Sequence, residues 1–298
     1  MLRLREAWIV SKYNFRQWWK NPRIFITFAL AFILCFLLSN KTVQFSSEFG
    51  TTTQLVEAFV WTFGDSNSIL LASLLLVLLF CDMPFLGAGV PYYLMRIRRT
   101  TWLIGQVIYI LLATSLYLLF ILVSTTLVCM NNSFIGNMWS DTAALLSYSP
   151  AGKSEAIPAM AKTLELTTPY ECMASIMLLI LLYTLLMIFI MLIVNILRGQ
   201  FWGIASVFVF SLYGFLLKPD TIRFFLGLDE RQMYKANLLA AWMSPLQQAT
   251  YHMHNFGFDN LPLLWQSYLI FGGLILLCFL LTLTAIKKYS FSFTGTDS

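Results

Sequence analysis

Apolar positions in this chain gather into long unbroken runs and do not alternate as strands do. Six runs stand out, at 24–40, 66–82, 102–130, 172–196, 200–217 and 263–286. A helix needs about twenty mostly apolar residues to cross the hydrocarbon of a bilayer. The second and fifth runs are short for that, so they extend at one end or tilt less. An open sheet would leave unpaired edge groups in lipid, and barrel-type alternation is missing. The pattern therefore predicts an all-α membrane protein with six transmembrane helices.

Two segments outside the runs also carry a helical signal. In 1–23, Leu4, Ala7, Trp8, Val10, Phe15, Trp18 and Trp19 interleave with Arg3, Arg5, Lys12, Arg16, Lys20 and Arg23. That pattern suits an amphipathic helix lying in the head-group layer, with Trp18 and Trp19 marking the interface. No short apolar core followed by a small-residue cleavage site is evident there, so 24–40 reads as a retained anchor. Ahead of the last run, 237–248 and 248–256 are apolar enough for short re-entrant helices broken at Pro245 and Gly257. The expected organisation is a cytoplasmic interfacial helix at 1–23, a six-helix transmembrane domain at 24–286 and a cytoplasmic tail at 287–298.

Composition strengthens the membrane reading. The chain is 59% hydrophobic and 11% charged, against roughly 25% charged in a typical soluble domain. The net charge of +5 points to lipid head groups and not to nucleic acid, because the basic residues are scattered between the runs. Their placement also sets an orientation. The N-terminal segment, the connection carrying Arg96, Arg98 and Arg99, the short connection with Arg198, and Lys287 with Lys288 all fall on one side if six helices cross. The positive-inside rule makes that side the cytoplasm, with both termini there. Loops on the other side hold Glu48, Glu57, Asp65, Asp141, Glu155, Glu165 and Glu171.

Candidate chemistry changes the picture little. Ala151-Gly152-Lys153-Ser154 resembles the end of a P-loop, but Ser147 stands where its first glycine belongs and no apolar strand leads in. His252 and His254 with Asp259 fall short of a metal site and read as structural. No metal or cofactor is expected on this chain, and no catalytic motif is present. Five cysteines include no C-x-x-C pair; Cys129 and Cys172 bracket one outside loop, where a disulfide between them would close it. The middles of the six runs carry no Asp, Glu, Lys, Arg or His. Ion-coupled carriers usually need such a group, so any power comes from outside the spans. Gln106, Tyr109, Tyr117 and Ser124 share a weakly polar face of the third run. Met173, Met177, Thr184, Met187, Met191 and Asn195 do the same on the fourth. Such faces either line a pathway for an amphiphilic substrate or serve ordinary helix packing, and packing is favoured.

The richest stretch is 81–102, where an acid and a proline end the second run and a glycine-punctuated segment follows. Arg96, Arg98, Arg99 and the interfacial Trp102 then open the third run. An apolar segment beside arginines suits docking of a cytoplasmic partner better than a bare topological turn. Asp82-Met83-Pro84-Phe85, the 96–106 stretch and the tail Lys287-Lys288-Tyr289-Ser290-Phe291, taken in this order of parts, resemble the permease subunits of type-two ATP-binding-cassette transporters, largely bacterial exporters. That resemblance covers nearly the whole chain as architecture. It implies a separate cytoplasmic ATPase docking around Phe85, Tyr92, Tyr93, Arg96, Arg98 and Arg99, and on Arg198 and Gln200. It also implies a second permease subunit, and ATP bound by the partner and not by this chain. The outside loop at 131–171 is longer than a minimal permease needs. An accessory or sensory membrane protein that binds a partner without transport is the alternative.

Overall fold

A computed structural model describes residues 4–85, 97–150, 152, 161–257 and 259–288. Four of its helices are long and apolar enough to cross a membrane, and two bent helix pairs bring the number to six if each pair is one span. The helices in chain order are α1 (Leu4–Arg16), α2 (Pro22–Glu48), α3 (Glu57–Phe63), α4 (Ser66–Phe80) and α5 (Arg99–Cys129). After them come α6 (Asp141–Tyr148), α7 (Ala161–Leu166), α8 (Pro169–Arg198), α9 (Gln200–Leu216) and α10 (Pro219–Leu226). The series closes with α11 (Met233–Met243), α12 (Pro245–Ala249) and α13 (Leu264–Lys288). The long helices are α2, α5, α8 and α13; the bent pairs are α3–α4, turning by 88°, and α9–α10, turning by 69°.

Local chemistry explains where these elements begin. Asn21 accepts from the Arg23 amide with Pro22 in the first turn, and Asp65 accepts from the Asn67 amide. Thr168 and Glu171 form a capping box ahead of Pro169. These side chains meet the free amides of a helix start, while proline fixes φ without losing a useful donor. Helix α2 runs on to Glu48, beyond the apolar run, because Thr42, Phe45 and Ser46 are buried there.

Helix α8 is the spine of the bundle. Two thirds of its most apolar stretch is buried (67%), whereas α13 buries 17% and α2 28%. It packs against α9, α13, α5, α4 and α3. In lipid no hydrophobic force drives helix against helix, so small residues and hydrogen bonds set the packing. Gly105 shows how: a Cβ there would stand 2.7 Å from the Ala7 carbonyl oxygen and from the Val10 Cβ, so α1 reaches α5 only over a glycine. Helix α1 thus lies along the first turns of α5, burying Ala7, Val10, Ser11 and Asn14 while Leu4 and Trp8 stay exposed.

Short helices stand where they were expected ahead of the last run: α11, α12 and a 3-10 turn at Tyr251–Met253 precede α13, with Ser244 capping α12 and Gly257 at φ 110°. A two-residue parallel ladder, β1 (Thr53–Gln54) on β2 (Ser133–Phe134), ties the loop after α2 to the loop after α5.

Candidate functional site

The two ends of the bundle differ. One, the basic end, gathers α1, the start of α2, the end of α4, the start of α5, the α8–α9 turn and the end of α13. Polar side chains join these elements in pairs. Asn14 Nδ2 donates to Gln106 Oε1 at 2.8 Å, and Trp18 Nε1 donates to Tyr109 OH at 2.8 Å. Arg23 bridges to Asp82 and approaches the Cys81 sulfur. Asn195 Nδ2 donates to the Met83 carbonyl at 2.6 Å and to the Cys81 carbonyl at 3.3 Å. Gly203 of α9 sits so close to Asn195 Oδ1 that any Cβ would collide with it. The chain leaving α4 is thereby clamped onto the α8–α9 corner.

Arg99 donates to the Ile286 and Lys287 carbonyls at 3.4 and 3.1 Å, closing the end of α13, where helix carbonyls lack partners. Arg98 is exposed beside it. Phe85 turns inward and meets Tyr109 edge-on at 5.4 Å, next to Phe15 and Trp18. Tyr92, Tyr93 and Arg96 lie outside the described residues. Arg198 and Gln200 are exposed at the α8–α9 turn, and Arg198 stands over the Trp202 ring at 6.0 Å from its centre. Of the expected docking residues, then, Arg98, Arg99, Arg198 and Gln200 are exposed, Arg99 while also holding the end of α13, and Phe85 is half-buried against Tyr109.

The residues expected to line a pathway are used inside the chain. Gln106, Tyr109, Tyr117, Ser124, Thr184 and Asn195 are all buried. Gln106 and Tyr109 bond to α1, and Tyr117 OH donates to the Ala72 carbonyl at 2.8 Å. Ser124 and Thr184 donate to the carbonyls of Phe120 and Ile180 one turn back. Each of the six makes a hydrogen bond within the bundle, while Gln106 Nε2 and Asn195 Oδ1 are buried with no partner.

The far end is a sealed cap. Glu57, at the start of α3, is completely buried and accepts from the Ser140 amide at 2.7 Å and the Ser140 hydroxyl at 2.5 Å. Ser140 in turn caps α6 through the Ala143 amide. Trp61 stacks on Trp139 at 5.2 Å and on His252 at 6.4 Å. His252 Nδ1 pairs with the Thr163 hydroxyl at 3.3 Å. Gly64 leaves room for that imidazole, since a Cβ would be 2.6 Å from its Nε2. His254 Nε2 pairs with the Ser267 hydroxyl at 3.0 Å. Burial, with Lys162 and His254 nearby, pushes His252 down to about 4. Burial also pushes His254 down to about 4, against the Tyr251 and Thr250 carbonyls that favour its charge. Both are neutral at pH 7. Lys162 pairs with Asp259 at 3.5 Å on the rim.

Among the described residues, no three His, Cys, Asp or Glu side chains converge as metal ligands. The possible disulfide between Cys129 and Cys172 is not formed: both are buried free thiols. Gly152, the one described residue of the motif that imitates a P-loop, has its amide on the Ser149 hydroxyl, and a Cβ there would collide with the Leu146 carbonyl oxygen. Glu57 escaped the sequence reading, which had counted it only as an outside acid. An acidic residue nine positions before the apolar run at 66–82 was the one signal. No family model matches the chain, and neither a curated protein nor a solved structure matches it.

Proposed function

We propose that this chain is the membrane-spanning permease subunit of an ATP-driven transporter. In this reading six helices cross the membrane, counting each bent pair once, with α1 in the head-group layer and both termini in the cytoplasm. A separate cytoplasmic ATPase-bearing subunit docks on the basic end, and a second permease subunit completes the transporter. The chain itself binds no ATP and catalyses nothing. An amphiphilic export substrate (peptide, lipid-like or drug-like) fits so apolar a bundle.

The observation that carries this reading is the mechanical linkage of the basic end. The segment leaving α4 is held to α8 by Asn195 and to α2 by the Arg23–Asp82 pair. Where the chain re-enters at α5, Arg99 holds α13 and Gln106 holds α1. A partner pressing on the connection between Asp82 and Arg98 would therefore bear on six helices at once, α1, α2, α4, α5, α8 and α13. Polar clamps are an effective way to transmit such a load in lipid, because apolar contacts between helices are hardly preferred over contacts with acyl chains. The accessory or sensory alternative draws on a different observation, the internal use of every side chain expected to line a pathway.

The test follows from the geometry. Arg99 closes α13, so charge reversal there mixes docking with helix fraying; Arg96→Glu with Arg98→Glu isolates docking. ATP-dependent substrate movement in proteoliposomes, with the co-expressed ATPase, is expected to fall at least tenfold in the double variant at unchanged insertion. Unchanged movement would remove the docking claim, and absence of any co-purifying ATP hydrolysis from the wild type would favour the accessory reading.

A further inference from the structure

Between the end of α8 and the first three turns of α9 lies an open groove of about 730 Å³, a size typical of small-molecule sites. Its floor is Ala205 and Ser206, and Trp202, Val209 and Tyr213 continue the same face of α9 at helical spacing. Phe210 forms a firm wall by stacking on Tyr183 of α8 at 5.7 Å. One end is cationic: Arg198 is exposed, has no ion-pair partner among the described residues and lines the groove mouth beside Trp202.

We propose that this groove binds one acyl chain of an anionic phospholipid from the leaflet at the basic end, with the lipid phosphate on Arg198. Three features select that occupant. The groove is apolar along its length and charged only at its mouth, which mirrors a lipid. From Trp202 to Tyr213 the helix rises about 16 Å, which is about half the ~30 Å hydrocarbon thickness and so the depth of one leaflet. The guanidinium fork matches phosphate oxygens, while a zwitterionic head group would also bring its own ammonium close to the cation. Trp202 is the kind of residue that sits at the head-group boundary. The inference relies on the membrane orientation proposed above and is independent of whether the chain transports anything.

The experiment uses the full chain in phosphatidylcholine vesicles doped with brominated lipids, which quench nearby indoles. Subtracting the signal of Trp202→Phe isolates Trp202. Brominated phosphatidylglycerol is expected to quench Trp202 at mole fractions about fivefold lower than brominated phosphatidylcholine does, the gain of one cation near a lipid surface. Arg198→Gln is expected to erase that preference and Arg198→Lys to keep most of it. Ala205→Phe, which fills the floor, is expected to weaken quenching by both lipids. Equal quenching by the two lipids in the wild type overturns the proposal, as does an unchanged preference in Arg198→Gln. A 209–209 disulfide formed by Val209→Cys in native membranes would also overturn it, by showing a second copy seated in the groove. Loss of the ATPase in co-purification leaves the lipid result untouched, so the two readings fail separately.

Discussion

The two ends of this bundle finish the same apolar helices in opposite ways. At the basic end polar side chains bond one element to the next and leave Arg98, Arg198 and Gln200 exposed. At the far end, the central polar groups are withdrawn from water, with the Lys162–Asp259 pair left on the rim. Glu57, His252 and His254 are buried, with Trp61 and Trp139 stacked beside them. A surface that presents cations on a rigid platform suits a partner that comes and goes. A cap that buries neutral imidazoles and a carboxyl group suits closure, because any opening exposes groups chosen to be dry. In the proposed reading, the cap resists motion and the platform transmits it.

Acid should break this contrast most strongly. An imidazole whose pKa falls from the ordinary 6.5 to about 4 on folding contributes about 3 kcal/mol. That contribution is complete above pH 6.5 and is lost as pH falls through 6.5 towards 4, because the unfolded cap then binds the protons. Hydrogen exchange should show α3, α7 and the 251–253 turn opening across that window, and His252→Gln with His254→Gln should flatten the response. A protection factor at α3 that stays constant from pH 7 to 4.5 would contradict the burial of the pair.

Removing the Glu57 carboxyl comes next. Glu57→Ala leaves the Ser140 amide without its acceptor in a buried site, which costs about 3 kcal/mol when the lost hydroxyl bond is included. Limited proteolysis should then cut near 136–150 in the variant and spare the wild type. At the basic end the effects are smaller. Asn195→Ala frees the Met83 and Cys81 carbonyls at a cost of about 2 kcal/mol. Its signature is functional: coupling to the partner should weaken while thermal stability in detergent drops only a few degrees. Asn14→Ala should cost about 1 kcal/mol and loosen α1 from α5, read as faster exchange in residues 7–16. An effect at Asn14 as large as that at Glu57 would erase the distinction between the ends.

The long elements were legible because each has its own local cause. Runs of apolar residues, and the caps at Asn21-Pro22, Asp65 and Thr168-Pro169, place the starts of α2, α4 and α8 within a few residues of the expected ones. What stayed hidden joins residues distant in the chain. Glu57 meets Ser140 across 83 positions and Asn195 meets Met83 across 112. No periodicity marks such a partner. The polar faces at Gln106 and Asn195 showed in the sequence as faces, but whether each turns to a pathway or to a neighbouring helix depends on the close approach that Gly105 and Gly203 allow. The end of α2 was missed for a related reason: after Asn40 the pattern turns mixed, and only burial by α3 and the loops keeps it helical.

The most direct test of the account is ATP hydrolysis that travels with the chain. The chain should be purified in mild detergent with its co-expressed ATPase, once as wild type and once as Arg96→Glu with Arg98→Glu. The account predicts hydrolysis stimulated by the wild type and lost in the double variant, while a cap variant such as Glu57→Gln keeps it. Equal hydrolysis in all three would contradict the claim that the basic end is where the partner works.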